Sequence, residues 1–151
     1  MRVTFRAAGI ADVPAVVALL ADDMLGAARE RRELEPYLAA FEAMRDEGTN
    51  HLIVGEDEVG RIVATYQVTF ISGLSLAAAR RAQVESVRVA SDLRGAGVGR
   101  TMFADVEARA RAAGCRLVQL TMNAARTESR RFYQSLGFEA SHVGFKKLLG
   151  G

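Results

Sequence analysis

The stretch SDLRGAGVGR, Ser91 to Arg100, places glycines at alternate positions, Gly95, Gly97 and Gly99, between two patterned runs. Before it, QVESVRVA carries Val84, Val87 and Val89 in a β-branched run that predicts a strand. After it, Val98, Met102, Val106 and Ala110 recur at helical spacing, with Phe103 and Ala113 widening the stripe and Gly114 placed to stop the helix. A strand that runs through a bare turn into a helix presents unpaired backbone N–H groups, backed by the positive end of the helix dipole. Such a place favours an anion, most often a phosphate. Glycines remove the side chains that would hold phosphate oxygens away from those amides, and Arg94 and Arg100 add positive charge. The competing reading is a turn that only needs permissive dihedrals. Three alternate glycines exceed what one such turn requires.

The rest of the chain supplies a frame around this turn. VTFR at 3–6 alternates like a short strand, and Asp12 followed by Pro14 marks a helix start, with Val13, Val16, Val17, Leu20 and Met24 on one face. A second helical pattern runs through Tyr37, Leu38, Phe41 and Met44 and stops at Gly48. Two β-branched and aromatic runs flank GEDEVG and predict an antiparallel hairpin over 51–71. Residues 73–82 fit neither period. RLVQLTM predicts a buried strand, TESRRFYQSLG a short helix closed by Gly137, and FEASHVGFKKLL one or two final strands. The order β-α-α-β-β-β-α-β-α-β predicts one α+β domain over the 151 residues.

Composition removes several classes. The net charge of +2 is far from the basic field of a protein that lives on nucleic acid. Cys115 is the single cysteine, so neither an intrachain disulfide nor a thiolate metal cluster can form. It follows a helix-ending glycine with no His motif nearby, which favours an inert buried thiol over a nucleophile. His51 and His142 have no carboxylate cluster at metal-ligand spacing, so no metal is expected. No apolar run is long enough to span a bilayer, and the first twenty residues lack the core of a signal peptide. These features read as a soluble cytoplasmic protein with no membrane partner.

Two familiar phosphate fingerprints fail by counting. G-x-G-x-x-G would need glycine where Arg100 stands, and the nucleotide P-loop would need a lysine and a glycine that are absent. Arg94, Gly97 and Gly99 instead satisfy [QR]-x-x-G-x-[GA]. With SRRFYQSLGF, LVQLTMN and the opening VTFRAAGIADVPAVVALL, this resembles the GNAT superfamily of acyl-CoA-dependent N-acetyltransferases. The resemblance is strong over 84–148, moderate over 3–20 and slight over 21–82.

It implies a mostly antiparallel, mixed sheet flanked by helices and splayed between the strands at about 84–90 and 116–122. It further implies acetyl-CoA as acyl donor, with its pyrophosphate held by the backbone of Arg94, Gly95, Ala96, Gly97, Val98, Gly99 and Arg100. The pantetheine arm would pair with strand 84–90, and an N–H near Val87 to Val89 would polarise the thioester carbonyl. Tyr133 matches the family's tyrosine that protonates the departing thiolate, against the alternative of a helix tyrosine packing its ring on the core.

The acceptor is a small-molecule or peptide amine, and a lysine-like amine with a pKa of about 10.4 must lose a proton before attack. Glu85 lies where many family members carry a glutamate that serves as base directly or through water; a solvated strand-edge carboxylate paired with Arg88 is the alternative. Asn123 either bonds the pantetheine or caps the following helix. Here the chain departs from the family pattern, since Arg126 stands seven residues before Tyr133, where an asparagine is usual. Arg126, Arg130 and Arg131 read as a solvated basic face, as do Arg29, Arg31 and Arg32 in the loop before the second helix. Direct transfer in a ternary complex is the simpler mechanism. A GNAT-shaped module that binds acyl-CoA without turnover is the alternative, and the family's habit leaves a homodimer open.

Overall fold

The computed structural model describes residues 1–22, 30–31 and 33–150. The chain divides into two compact units, Met1–Gln119 and Leu120–Gly151. The expected helical position Met24, with Arg29 and Arg32, lies outside the described residues.

Five strands form one sheet in the order β1 to β5: β1 Thr4–Ala7, β2 Asn50–Glu56, β3 Ile62–Ile71, β4 Arg81–Val89 and β5 Leu117–Leu120. The first four pair antiparallel in sequence order. Arg116 N–H donates to Arg80 O at 2.8 Å, and Gln119 Nε2 donates to Gln83 Oε1 at 2.7 Å. Residue numbers thus rise together along β4 and β5, which makes the sheet mixed, as expected from the sequence.

The helices of the first unit are α1 Val13–Ala21, α2 Glu35–Glu47 and α3 Val98–Ala112. Successive side chains of a strand point to opposite faces. Val63 clusters with Leu19 of α1, whereas the Tyr66 hydroxyl bonds Asp105 of α3, so α1 and α3 cover opposite faces of β3. Val63, Ala64, Thr65 and Tyr66 are all buried in consequence. The hydroxyl of buried Thr65 is satisfied by donating to Ile53 O at 2.8 Å.

α1 differs from its expected face. Val13, Val16 and Leu19 are its buried residues, and Val17 and Leu20 are only half-buried. Asp12 starts the helix, but its carboxylate turns backward, accepting from Gly9 N–H at 2.8 Å and from both terminal nitrogens of Arg6 at 2.8 and 3.0 Å. The Arg6 guanidinium holds the Asp12 carboxyl below its usual range, against the opposing effect of burial. A carboxyl depressed in the folded state stabilises fully above its unfolded pKa of about 3.9 and loses that contribution as pH falls through the folded value. Asp12→Ala is therefore expected to cost about 1 kcal/mol at pH 7, a figure already reduced for the solvent around Arg6. Paired thermal melts check it: the gap between wild type and variant should narrow as the pH drops below about 3.9.

The second unit contains α4, Thr127–Ser135. It closes as expected, with Gly137 at φ +94° and its N–H donating to Gln134 O. The final strands expected over FEASHVGFKKLL do not form: residues 138–150 adopt no regular element. A strand exists only as part of a ladder, and among the described residues no backbone hydrogen bond engages 139–149.

Candidate functional site

β4 ends at Val89, Ala90 N–H donates to Val63 O at 2.8 Å, and the chain makes one short helical turn at Ser91–Leu93 before the glycines. Gly95 and Gly97 adopt φ +82° and +84°, the left-handed region where side chains are strained. Gly97 is the residue from which α3 starts, and the first backbone bond back to it runs from Thr101 N–H to Gly97 O at 3.2 Å. The earlier N–H groups of α3 have no partner within the helix and carry its positive dipole end. A Cβ at Gly95 or Gly97 would meet no protein atom within 4 Å. The space beside these amides is open, as the approach of phosphate oxygens requires. Dihedral demand thus accounts for two of the three glycines; Gly99 lies inside the first turn of α3 without a positive φ.

Just upstream, β4 departs from a regular ladder with β3. Between the pairs Thr65↔Arg88 and Gln67↔Glu85, the single residue Tyr66 of β3 faces both Ser86 and Val87. This is a β-bulge, and Ser86 takes φ +54° within it. A serine carries no preference for that region, so the sequence held no signal of it. A bulge leaves one residue out of the ladder, and strained backbone of this kind collects at functional sites. Val89, by contrast, is paired with Ala64. Of the span Val87 to Val89, Val87 therefore lies in the bulge, and Arg88 and Val89 lie in the ladder. Glu85 borders the bulge and is exposed.

Tyr66 also ties the bulge to the helix behind the glycine turn. Its fully buried ring supports a hydroxyl that donates to Asp105 Oδ2 at 2.6 Å, and Arg109 Nε donates to the same oxygen at 2.7 Å. Arg109 reaches on to Phe5 O at 3.3 Å. Burial, and then the carboxylate, raises the Tyr66 phenol well above its ordinary range, so it stays a donor. Tyr66→Phe is expected to lower stability by about 1–3 kcal/mol, the cost of leaving a partly buried carboxylate one donor short. A shifted urea midpoint with unchanged slope is the readout.

In the second unit, Tyr133 lies half-buried on α4, its ring 5.4 Å from Phe132 and 5.9 Å from Phe138 in an edge-on contact. Asn123 does not cap α4, which starts from Arg126 without a side-chain cap; it closes the turn before the helix, where its Oδ1 accepts from Ala125 N–H and its carbonyl from Arg126 N–H, both at 2.9 Å. Glu85, Val87, Val89 and residues 94–100 thus belong to the first unit, and Asn123 and Tyr133 to the second.

The ambiguous segment before β4 holds Leu76, Ala77 and Ala78 at φ +54°, +57° and +61°. Such a turn costs roughly 1–2 kcal/mol per residue for side chains other than glycine. Leu74 and Leu76 are exposed on it.

Cys115 is half-buried, more open than expected, with its N–H donating to Ala110 O. His51 packs against Phe70, and His142 bonds Ser141 Oγ. Among the described residues no metal-binding group of His, Cys, Asp or Glu occurs, and no helix is long and apolar enough to cross a membrane.

Comparison with known proteins places this geometry. A transcriptional regulator from Bacillus halodurans C-125 superposes with a TM-score of 0.92 at 40% identity, covering 98% of this chain and 100% of its own. A putative acetyltransferase from Agrobacterium tumefaciens str. C58 gives 0.84 at 29% identity, over 96% and 99%. An aminoalkylphosphonate N-acetyltransferase from Salmonella typhimurium is 34% identical over 67 residues, a match that spans 44% of this chain and 44% of that protein. The family model described as Acetyltransferase (GNAT) family matches residues 14–138. With the glycine turn, the bulged strand and the mixed sheet all in place, the chain belongs to the GNAT acetyltransferase family.

Proposed function

We propose that this protein transfers an acetyl group from acetyl-CoA to a primary amine by direct attack in a ternary complex. The observation that carries the reading is the turn Arg94 to Arg100, whose two left-handed glycines hold open the space beside the first amides of α3.

In this reading the amides of Arg94 to Arg100 bind the pyrophosphate. The edge of β4 pairs with the pantetheine arm where the sheet opens between β4 and β5. The bulge amide at Ser86 or Val87 polarises the thioester carbonyl and stabilises the charge that grows on its oxygen. Glu85, directly or through a water, takes the proton that the acceptor nitrogen must shed. Keeping that nitrogen neutral at pH 7 costs about 4–5 kcal/mol for a pKa near 10.4, which a positioned base offsets. As the new C–N bond forms and the C–S bond breaks, Tyr133 gives its phenolic proton to the thiolate. Asn123 is left to the turn before α4, where its Oδ1 accepts from Ala125 N–H.

The acceptor of the Salmonella relative carries an amine and a phosphonate by name, which supports a small anionic amine as the first class to try. The strained turn at Leu76–Ala78 and the residues around 25–36 are proposed to select it.

A second reading, an acyl-CoA-binding module without turnover, draws on the relative described as a transcriptional regulator. The net charge of +2 gives no support to a nucleic-acid surface.

An amine screen with acetyl-CoA separates the two readings. Release of free thiol that depends on the amine, with acetylated amine formed in equal amount, supports transfer. Saturable acetyl-CoA binding with no thiol released from any amine class supports the module.

A further inference from the structure

Between its start and the bulge, β4 alternates strictly: Ala82 and Val84 are buried, and Arg81, Gln83 and Glu85 point to the opposite face. The register sets that row beside Ile71, Thr69 and Gln67 of β3. The neutral polar side chains of this face are satisfied within the sheet. Thr65 donates to Ile53 O at 2.8 Å, Gln67 Nε2 to Asn50 Oδ1 at 2.9 Å, Thr69 Oγ1 to the same oxygen at 3.3 Å, and Gln119 Nε2 to Gln83 Oε1. The two charged ones are different. Among the described residues neither Arg81 nor Glu85 makes an ion pair.

Arg81 is nonetheless half-buried, and a charge withdrawn from water ordinarily has a counter-ion. Glu85 cannot supply it, since four residues of strand separate the two by about 13 Å. The Arg81 guanidinium lies instead against the backbone of Gly73, where a Cβ would stand 3.0 Å from Nη1. Gly73 has no positive φ, so the missing side chain there serves room rather than dihedrals.

We propose that Arg81 is an acceptor-specificity residue: its guanidinium takes the anionic group, a carboxylate, phosphonate or phosphate, of an elongated amine whose nitrogen is held at Glu85. The inference rests on the acetyl-transfer reading, in which Glu85 receives the proton of the acceptor. Two unpaired charges of opposite sign on one strand face complement a molecule that carries an ammonium at one end and an anion at the other. The planar fork of arginine suits such an oxyanion, which it grips through two parallel N–H bonds. Gln83, between the two charges, is already tied to Gln119, so the middle of the acceptor meets neutral amides. The spacing of about 13 Å sets the length of the acceptor, with amine and anion further apart than in an α-amino acid.

Steady-state kinetics with acetyl-CoA and three acceptors test it: aminohexylphosphonate, the neutral aminohexanol of the same chain length, and the short aminoethylphosphonate. The wild type is expected to favour aminohexylphosphonate over aminohexanol in kcat/KM by roughly 10- to 100-fold, the range for a hydrogen bond to a charged group. Aminoethylphosphonate should gain less, and an equal gain would overturn the spacing. Arg81→Gln is expected to bring the ratio close to one by raising the KM for the phosphonate rather than by lowering kcat. Arg81→Lys, which keeps the charge without the fork, should fall between. Turnover of aminohexanol reports in each preparation that the fold and the transfer machinery are intact. A ratio near one in the wild type, or one that Arg81→Gln leaves unchanged, would overturn the role of Arg81 while acetyl transfer stands. If no amine is acetylated, the transfer reading falls instead, and calorimetry with hexylphosphonate alone judges Arg81. Saturable binding that Arg81→Gln abolishes would sustain the anion site, and no binding, or equal binding by both proteins, would overturn it.

Discussion

Gly97→Glu is expected to abolish acetyl-CoA binding while leaving a folded protein. At φ +84° any side chain is strained by about 1–2 kcal/mol, yet a Cβ there meets no protein atom within 4 Å, so nothing in the core is displaced. What the side chain does enter is the space beside the first amides of α3. Its carboxylate both occupies the pyrophosphate position and brings like charge against it, and a loss of affinity of a hundredfold or more, about 2.7 kcal/mol, follows. Gly97→Ala separates the two causes. It carries the same dihedral strain without charge and is expected to lower the melting temperature equally while weakening binding far less. Calorimetric titration of both variants, with thermal melts alongside, is the check. Equal losses of binding in the two would mean that backbone strain, not anion contact, makes this turn matter.

Tyr133→Phe is expected to lower kcat by about 10²–10⁴-fold, the range for losing a positioned proton donor. The ring contacts with Phe132 and Phe138 do not use the hydroxyl and are kept in the variant. The KM for acetyl-CoA should change little, because the pyrophosphate is held elsewhere. Steady-state kinetics that show an unchanged kcat would reduce Tyr133 to a packing residue on α4.

The parts of this architecture that were legible in the sequence are those written as local chemistry. Gly48 and Gly137 close their helices, Asp57 and Gly60 sit at the turn of the β2–β3 hairpin, and Gly95 and Gly97 take the left-handed dihedrals that the glycine spacing suggests. Where a feature depends on what lies opposite, the sequence carries less. Leu19 rather than Leu20 faces the sheet because the axis of α1 is set by its packing on Val63 and Ala90. The Ser86 bulge comes from a register shift between β3 and β4, and no residue preference announces it. The bond of Tyr66 with Asp105 and Arg109 spans elements far apart in the chain. Leu76, Ala77 and Ala78 occupy left-handed dihedrals that their side chains disfavour, so local rules point away from the observed turn. The segment 139–149 has strand-forming residues without a strand, because no ladder receives it among the described residues.

The measurement that goes most directly to the function is calorimetric titration of the wild-type protein with acetyl-CoA. One molecule bound per chain with micromolar-range affinity, and competition by coenzyme A, is the expected result. A folded protein that gives no saturable binding would contradict the assignment of Arg94 to Arg100 as the pyrophosphate site, and acetyl transfer by this chain with it.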